Sequence, residues 1–217
     1  MITARITTGG DLLLVAPVRG LVSEAPAAVR AIAGHAAGAV GFGISPEELR
    51  GFDEYFVRSA ADPVVPLTTA ERSEVRGLVR FGEVSVPNPS FLEVLRWAAT
   101  QGVVTQGLDP SEDRTATLFA ENIGYLELVR RTVRERSVSR NPPTPANADE
   151  YALRWDHEVA RGRGSRKFAG ARDRYLVRSA RAMALGRSRV AVVIDRERFE
   201  NVRALLSDPG SADTDPA

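Results

Sequence analysis

The sequence predicts an α/β fold: a mixed or mostly parallel sheet flanked by helices, with a helical insert before the last strand. Three observations predict it. Short apolar runs suited to buried strands recur at residues 12–18, 39–44, 103–108 and 189–194. Between them lie stretches whose apolar residues are spaced three and four apart, and helix-start signals divide the two kinds of segment.

Residues 2–7 alternate in polarity, Gly9-Gly10 can supply the positive φ of a tight turn, and 12–18 is continuously apolar. The chain therefore opens with a hairpin whose second strand is buried. Ala25, Ala28, Val29 and Ile32 form one apolar stripe at helical spacing, and 39–44 returns as a strand, completing a β-α-β unit. Four segments have capping-box spacing: Ser45-Pro46-Glu47-Glu48, Thr68 with Glu71, Asp109-Pro110 with Glu112, and Asn147 with Glu150. In each, a side-chain oxygen can accept from the third amide while the acid reaches back to the cap amide, and proline suits the first helical position.

Asn88-Pro89 opens another helix, with Phe91, Val94, Leu95 and Ala98 on one face, and a strand over 103–108 follows Gly102. Leu126, Val129 and Val133 continue a helical face. Asn141-Pro142-Pro143-Thr144-Pro145 is a loop or hinge, because three prolines remove donors and push their predecessors to extended geometry. From 149 to 186 two helices divide near Arg161-Gly162-Arg163-Gly164, the second burying Leu176, Ala180 and Met183. A strand over 189–194 and a helix over 196–206 return the chain to the sheet. Residues 1–206 thus read as one α/β domain with a helical insert at about 111–186, and 207–217 as a polar, disordered tail.

Composition narrows the function classes. No run of about 18 apolar residues is present, and the first residues lack the basic-then-apolar order of a signal peptide, so a cytoplasmic protein with no membrane partner is expected. Cysteine is absent, which removes disulfides, thiolate metal sites and cysteine nucleophiles. The net charge of +1 is uneven: residues 127–181 hold 14 basic and 7 acidic groups, against 10 and 15 in residues 1–126. Lys167 is the only lysine, and this arginine usage reads as codon bias before it reads as anion binding.

No nucleophile elbow, P-loop, H-E-x-x-H or dinucleotide fingerprint occurs, and no cofactor is expected. Gly38, Gly41 and Gly43 fall inside a strand and read as close backbone packing. His35, at a helix end, reads as a favourable partner of the helix dipole, and His157, between Asp156 and Glu158, as a half-exposed helical residue. Arg130, Arg131, Arg134, Arg136 and Arg140, with Arg161, Arg163, Arg166 and Lys167, can meet phosphates, but aromatic stacking platforms are sparse among them. Polar groups beside strand ends are more informative, since open α/β sheets gather ligands there. They are Arg19, Gly82-Glu83 and Arg172-Asp173.

The order of these features resembles the TraB-like proteins, related to Tiki and more distantly to the ChaN and erythromycin-esterase-like groups. The resemblance runs over nearly the whole of residues 1–206. Leu13-Leu14-Val15-Ala16-Pro17-Val18-Arg19 stands at the family's strand and G-x-x-H motif, with Ala16 for the glycine and Arg19 for the histidine. Val40-Gly41-Phe42-Gly43-Ile44 offers no acid at the next strand, and Gly82-Glu83 matches the G-E pattern. Ala171-Arg172-Asp173-Arg174-Tyr175-Leu176-Val177 resembles the late helix with Ala171 in place of its first glutamate, and Ile194-Asp195-Arg196-Glu197 lacks the final histidine.

The family is proposed to include metal-dependent proteases, whose chemistry needs several converging histidines or carboxylates. An arginine in place of one ligand opposes cation binding, so the resemblance implies a domain that has lost the metal-site residues. The expectation is a pseudoenzyme with no metal site that binds a small anionic ligand, peptide or protein partner through Arg19, Glu83, Arg172 and Asp173. Two alternatives stay open: a metal-dependent hydrolase or peptidase using Glu83 with a changed ligand set, and nucleic-acid binding by the arginine-rich insert. Assembly as a homo-oligomer is left open as well.

Overall fold

A computed structural model of the chain describes residues 1–7, 10–58, 67–208 and 210. Strand β1 (Ile2–Thr7) pairs antiparallel with β2 (Asp11–Ala16), Ile2 opposite Ala16 and Thr7 opposite Asp11. Gly9 of the expected turn and most of the expected tail over 207–217 lie outside the described residues. Helix α1 (Ala25–His35) leads to β3 (Ala39–Phe42), and α2 (Pro46–Arg58), α3 (Thr69–Leu78) and α4 (Pro89–Gln101) lead to β4 (Val104–Gly107). Next come α5 (Glu112–Asn122), α6 (Tyr125–Arg140), α7 (Ala148–Val159) and α8 (Arg163–Ala184), then β5 (Arg189–Val193) and α9 (Phe199–Ser207). The sheet runs β1-β2-β5-β3-β4, and every pair except β1 with β2 is parallel. The fold is therefore α/β with a mixed, mostly parallel sheet.

Side chains alternate across the pleat, and each face buries its own layer. Leu12, Leu14, Val190 and Val192 pack under Leu176, Ala180 and Met183 of α8 and Phe199, Val202 and Leu206 of α9. Leu13, Val15, Val40, Phe42 and Val193 pack under Ala28 and Ile32 of α1 and Phe91, Val94 and Leu95 of α4. Val18, Ile44 and Leu108, which the apolar runs placed inside strands, lie beyond the ladders yet stay buried, so the runs are longer than the strands. A third cluster joins Val18 and Leu21 to Leu78 of α3, Val138 of α6, and Tyr151, Ala152 and Trp155 of α7. Helices α3, α6 and α7 thereby form a roof above the carboxyl edge of the sheet. The expected insert is divided between two tasks, since α8 belongs to a sheet layer while α6 and α7 belong to the roof.

Three of the four predicted helix starts form. Glu48 N donates to Ser45 Oγ at 3.1 Å and Ser45 N returns a bond to Glu48 Oε2 at 3.0 Å. Thr68 and Glu71 make the same exchange at 3.2 and 2.8 Å. Glu150 N donates to Asn147 Oδ1 at 2.8 Å, but the Glu150 carboxylate accepts from Ala146 N instead of the cap amide. The fourth start differs: Ser111, not Asp109, caps α5, accepting from Arg114 N at 3.3 Å. Asp109 is unavailable as a cap because two guanidinium groups hold its carboxylate.

Helix α6 forms where Leu126, Val129 and Val133 placed it, but these side chains are exposed and do not join the core. Among the described residues no helix is long and apolar enough to cross a membrane.

Candidate functional site

The connection leaving β2 turns to α1 on one face of the sheet, whereas that leaving its neighbour β5 turns to α9 on the other. Neighbouring strands with diverging connections leave a crevice at their carboxyl ends. Between that edge and the roof lies a cleft of about 1080 Å³. Its walls include Arg19 after β2, Asp195, Glu197 and Arg198 after β5, Asn88 at the start of α4, Glu74 of α3 and Asp156 of α7.

Arg19 stands in this cleft with 47% of its side chain exposed. Its Nε lies 3.9 Å from Asp195 Oδ2 and its Nη2 3.9 Å from Glu197 Oε1. Both distances are too long for hydrogen bonds, so the carboxylates attract the guanidinium without occupying its N–H groups. Asp195, against the cost of burial and with help from Glu74 and Glu197, raises the Arg19 pKa above its ordinary value. Asn88 Nδ2 approaches Asp195 Oδ1 at 3.5 Å.

Facing Arg19 are carboxyl groups that resist ionisation. Burial pushes Glu197 up to about 8, and the Asp195 charge adds to the shift while Arg19 opposes it. Glu74 is raised by burial with Asp195 and Glu71 contributing, again against Arg19. Asp156 is likewise raised by burial, with Arg19 opposing and Asp173 adding. A carboxyl that keeps its proton near neutral pH donates a hydrogen bond, so Glu197 and Arg19 together present donors to the cleft.

Arg198 is held quite differently. Nη1 donates to Gly43 O at 3.0 Å and to Asp109 Oδ2 at 2.9 Å, Nη2 donates to Asp109 Oδ1 at 2.8 Å, and Nε donates to Asp173 Oδ1 at 2.8 Å. Asn201 Nδ2 occupies the other Asp173 oxygen at 2.6 Å, and Arg172 also donates to Asp109. Burial works against the Arg198 charge, but Asp109 and Asp173 outweigh it and the pKa rises. This network ties the end of β4 to α8 and the start of α9.

The four sequence candidates therefore separate. Arg19, Arg172 and Asp173 all line the cleft. Asp173 is consumed by the Arg198 network, while Arg172 keeps a buried Nε without a partner among the described residues and also borders a second cavity of about 500 Å³ beside Ser45 and Glu112. Glu83 is exposed and is not part of the cleft lining. The reason is local: Leu21 and Val84 form an antiparallel bridge, and Val22 N donates to the Glu83 carbonyl, so the backbone of Glu83 is engaged and its carboxylate is left in solvent. Glu83 therefore stands apart from Arg19, Arg172 and Asp173.

His35 is buried at the opposite edge, its Nε2 3.2 Å from Asp11 O and its carbonyl accepting from Arg189. His157 is exposed at the end of α7. Gly41 and Gly43 are sites of close packing, where an added Cβ would press on Leu108 and Ile194. The arginines of α6 do not share one face: Arg131 pairs with Glu135 at 2.9 Å, Arg134 is turned inward, and Arg130 and Arg136 stand roughly a third of the circumference apart.

Sequence reasoning missed Glu74, Asp109, Asp156, Asp195, Glu197 and Arg198 as parts of the site. The signal for three of them was Asp195-Arg196-Glu197-Arg198 directly after the last apolar run, where polar side chains reach a strand end. Among the described residues no three histidine, aspartate or glutamate side chains come together to hold a metal ion, so the residues present do not fit the metal site that the TraB resemblance implies. Comparison with protein-family models finds no match to this chain, and no curated protein matches it.

Proposed function

We propose that this chain is a degenerate TraB-like domain that binds a small anionic ligand, free or as the carboxyl group of a peptide, through Arg19 without metal catalysis. The observation that carries the reading is the state of Arg19, a guanidinium in a large cleft at a sheet switch point with no hydrogen bond among the described residues. A planar guanidinium with free donors suits a carboxylate bidentately. Glu197, holding its proton, adds a donor, while a cleft that sets the free guanidinium of Arg19 among several carboxyl groups offers too little positive charge for a highly charged anion. The reading therefore favours a monoanionic carboxylate over a polyphosphate.

The test is the thermal midpoint with acetate, an N-acetyl dipeptide or inorganic pyrophosphate, in wild type and Arg19→Gln, since a ligand of the native state raises stability by mass action. A rise with the carboxylates, absent in Arg19→Gln and smaller with pyrophosphate, supports the proposal. Equal rises in both proteins, or none with any anion, sink it.

Glu197 favours a second reading, in which the cleft hydrolyses the ligand that it binds. A carboxyl that holds its proton beside a second carboxyl, Asp195, can serve as a general acid. On that reading Glu197→Gln abolishes turnover of a carboxylate-bearing ester while Arg19→Gln raises its KM. Unchanged turnover in Glu197→Gln would exclude it.

A further inference from the structure

The cleft draws its charged groups from both of the layers that enclose it. From the sheet edge come Arg19, Asp195 and Glu197, and from the roof come Glu74 of α3 and Asp156 of α7. The two layers differ in how these groups are satisfied. Asp195 and Glu197 each have the Arg19 guanidinium at 3.9 Å. Glu74 and Asp156 have neither a hydrogen bond nor an ion pair among the described residues. Burial, with Asp195 and Glu71 adding to it, raises the pKa of Glu74, so water in the cleft does not take the place of a counter-charge.

The other cations around the cleft do not supply that charge. Arg172 and Arg198 are held by Asp109, Arg198 also by Asp173, and Arg131 pairs with Glu135. Arg136 and Arg166 also wall the cleft, but the cation that acts most strongly on Glu74 and on Asp156 is Arg19. One guanidinium is therefore shared between the carboxyl groups beside it and those above it. A ligand that brings only a carboxylate to Arg19 adds negative charge where positive charge is already short. A ligand that also brings a cation restores the balance. Phe52, Val86, Phe91 and Val159 line the same cleft and give an apolar wall to the hydrocarbon between two such ends.

We infer that the ligand is an amino acid, bound with its carboxylate on Arg19 and its protonated amine between Glu74 and Asp156. The inference rests on the reading of Arg19 as a carboxylate site and supplies the other end of the ligand. It also gives the roof a task, since the two helices that carry Glu74 and Asp156 then select what the sheet edge binds.

Calorimetric titration of the full chain with matched pairs tests it: propanoate against alanine, and hexanoate against 6-aminohexanoate. In at least one pair the amino acid is expected to bind about fivefold tighter or more than its plain acid, and the better pair reports the separation of the two ends. Glu74→Gln should lower that ratio, and Glu74→Gln with Asp156→Asn should bring it to about one. The double variant should at the same time bind the plain acid more tightly, because like charge has been removed, whereas a misfolded protein would lose both ligands. Ratios near one in wild type, with binding that Arg19→Gln abolishes, overturn the inference and leave the carboxylate site standing. No binding of any of the four ligands overturns both. Hexylamine binding as tightly as 6-aminohexanoate, in wild type and Arg19→Gln alike, overturns both in favour of a site for cations alone.

Discussion

Asp109 and Arg198 meet through two hydrogen bonds, Nη1 to Oδ2 at 2.9 Å and Nη2 to Oδ1 at 2.8 Å, across 89 residues of sequence. The contact joins the second residue after β4 to the residue that opens α9, and Arg172 of α8 donates to the same carboxylate. The Asp109 side chain is 1% exposed. Removing it leaves Arg198 charged, buried and partly unpaired, which costs far more than the net worth of an exposed ion pair. Asp109→Ala should therefore lower unfolding free energy by about 3–5 kcal/mol. A denaturant midpoint within about 1 kcal/mol of wild type would show that the network carries little of the fold.

Glu197 gives the protein an alkaline weakness. Its native pKa is raised from 4.5 to about 8, so the native state holds a proton that the unfolded chain releases. Between those values the native state binds more protons, and stability falls as pH rises. The contribution is fully present below 4.5 and lost through about 8. Glu197→Gln cannot ionise and should flatten this limb of the curve. A difference in thermal midpoint between the two proteins that stays constant from acid to alkaline pH would place the proton elsewhere.

Two glycines of the sheet, in β3 and β4, should respond unequally to alanine. At Gly107 an added Cβ would lie 2.7 Å from Pro46 N and 2.8 Å from Ser45 O, both backbone atoms at the start of α2. At Gly41 it would meet the Leu108 side chain, with Cγ at 2.8 Å. A leucine can change rotamer, but a capped helix start cannot move without disturbing the Ser45–Glu48 exchange. Gly107→Ala is expected to lose more stability than Gly41→Ala, by at least about 1 kcal/mol. Equal losses would mean that the Leu108 side chain is as confined as the backbone.

The layers of this fold are legible in the sequence because burial on both sheet faces leaves continuous apolar runs and capping chemistry is local. Ser45, Thr68 and Asn147 lie three residues from the glutamates that complete their patterns, so no long-range knowledge is needed. Asp109 fails as a predicted cap for the opposite reason: its partners, Arg172 and Arg198, are 63 and 89 residues away. Glu83 matches a short motif, yet its side chain is exposed beside an isolated bridge between Leu21 and Val84, a long-range pairing that no local pattern announces. The face of α6 was equally unreadable, since spacing identifies an apolar stripe without saying whether anything covers it. The place of Arg19 at the carboxyl edge is legible because a residue that closely follows a buried strand lies there under any strand order.

Glu127 replaces a missing cap from another helix. Gly162 precedes α8 and has no side chain to receive the first amides, and instead the Glu127 carboxylate of α6 accepts from Gly164 N at 2.9 Å and Ser165 N at 2.7 Å. Ser165 Oγ adds a bond at 3.1 Å. These contacts, the Ser165 amide foremost and against some burial, hold the Glu127 pKa below its ordinary 4.5. A depressed native pKa stabilises the fold above the unfolded value, and the contribution disappears as pH falls through the native one. Glu127→Ala should cost about 1 kcal/mol at neutral pH, as the loss of a helix cap does. The deficit should shrink under acid conditions, because wild type then loses the same contacts. An undiminished deficit below pH 4.5 would assign Glu127 a packing role in joining α6 to α8 and leave the start of α8 to be satisfied by solvent.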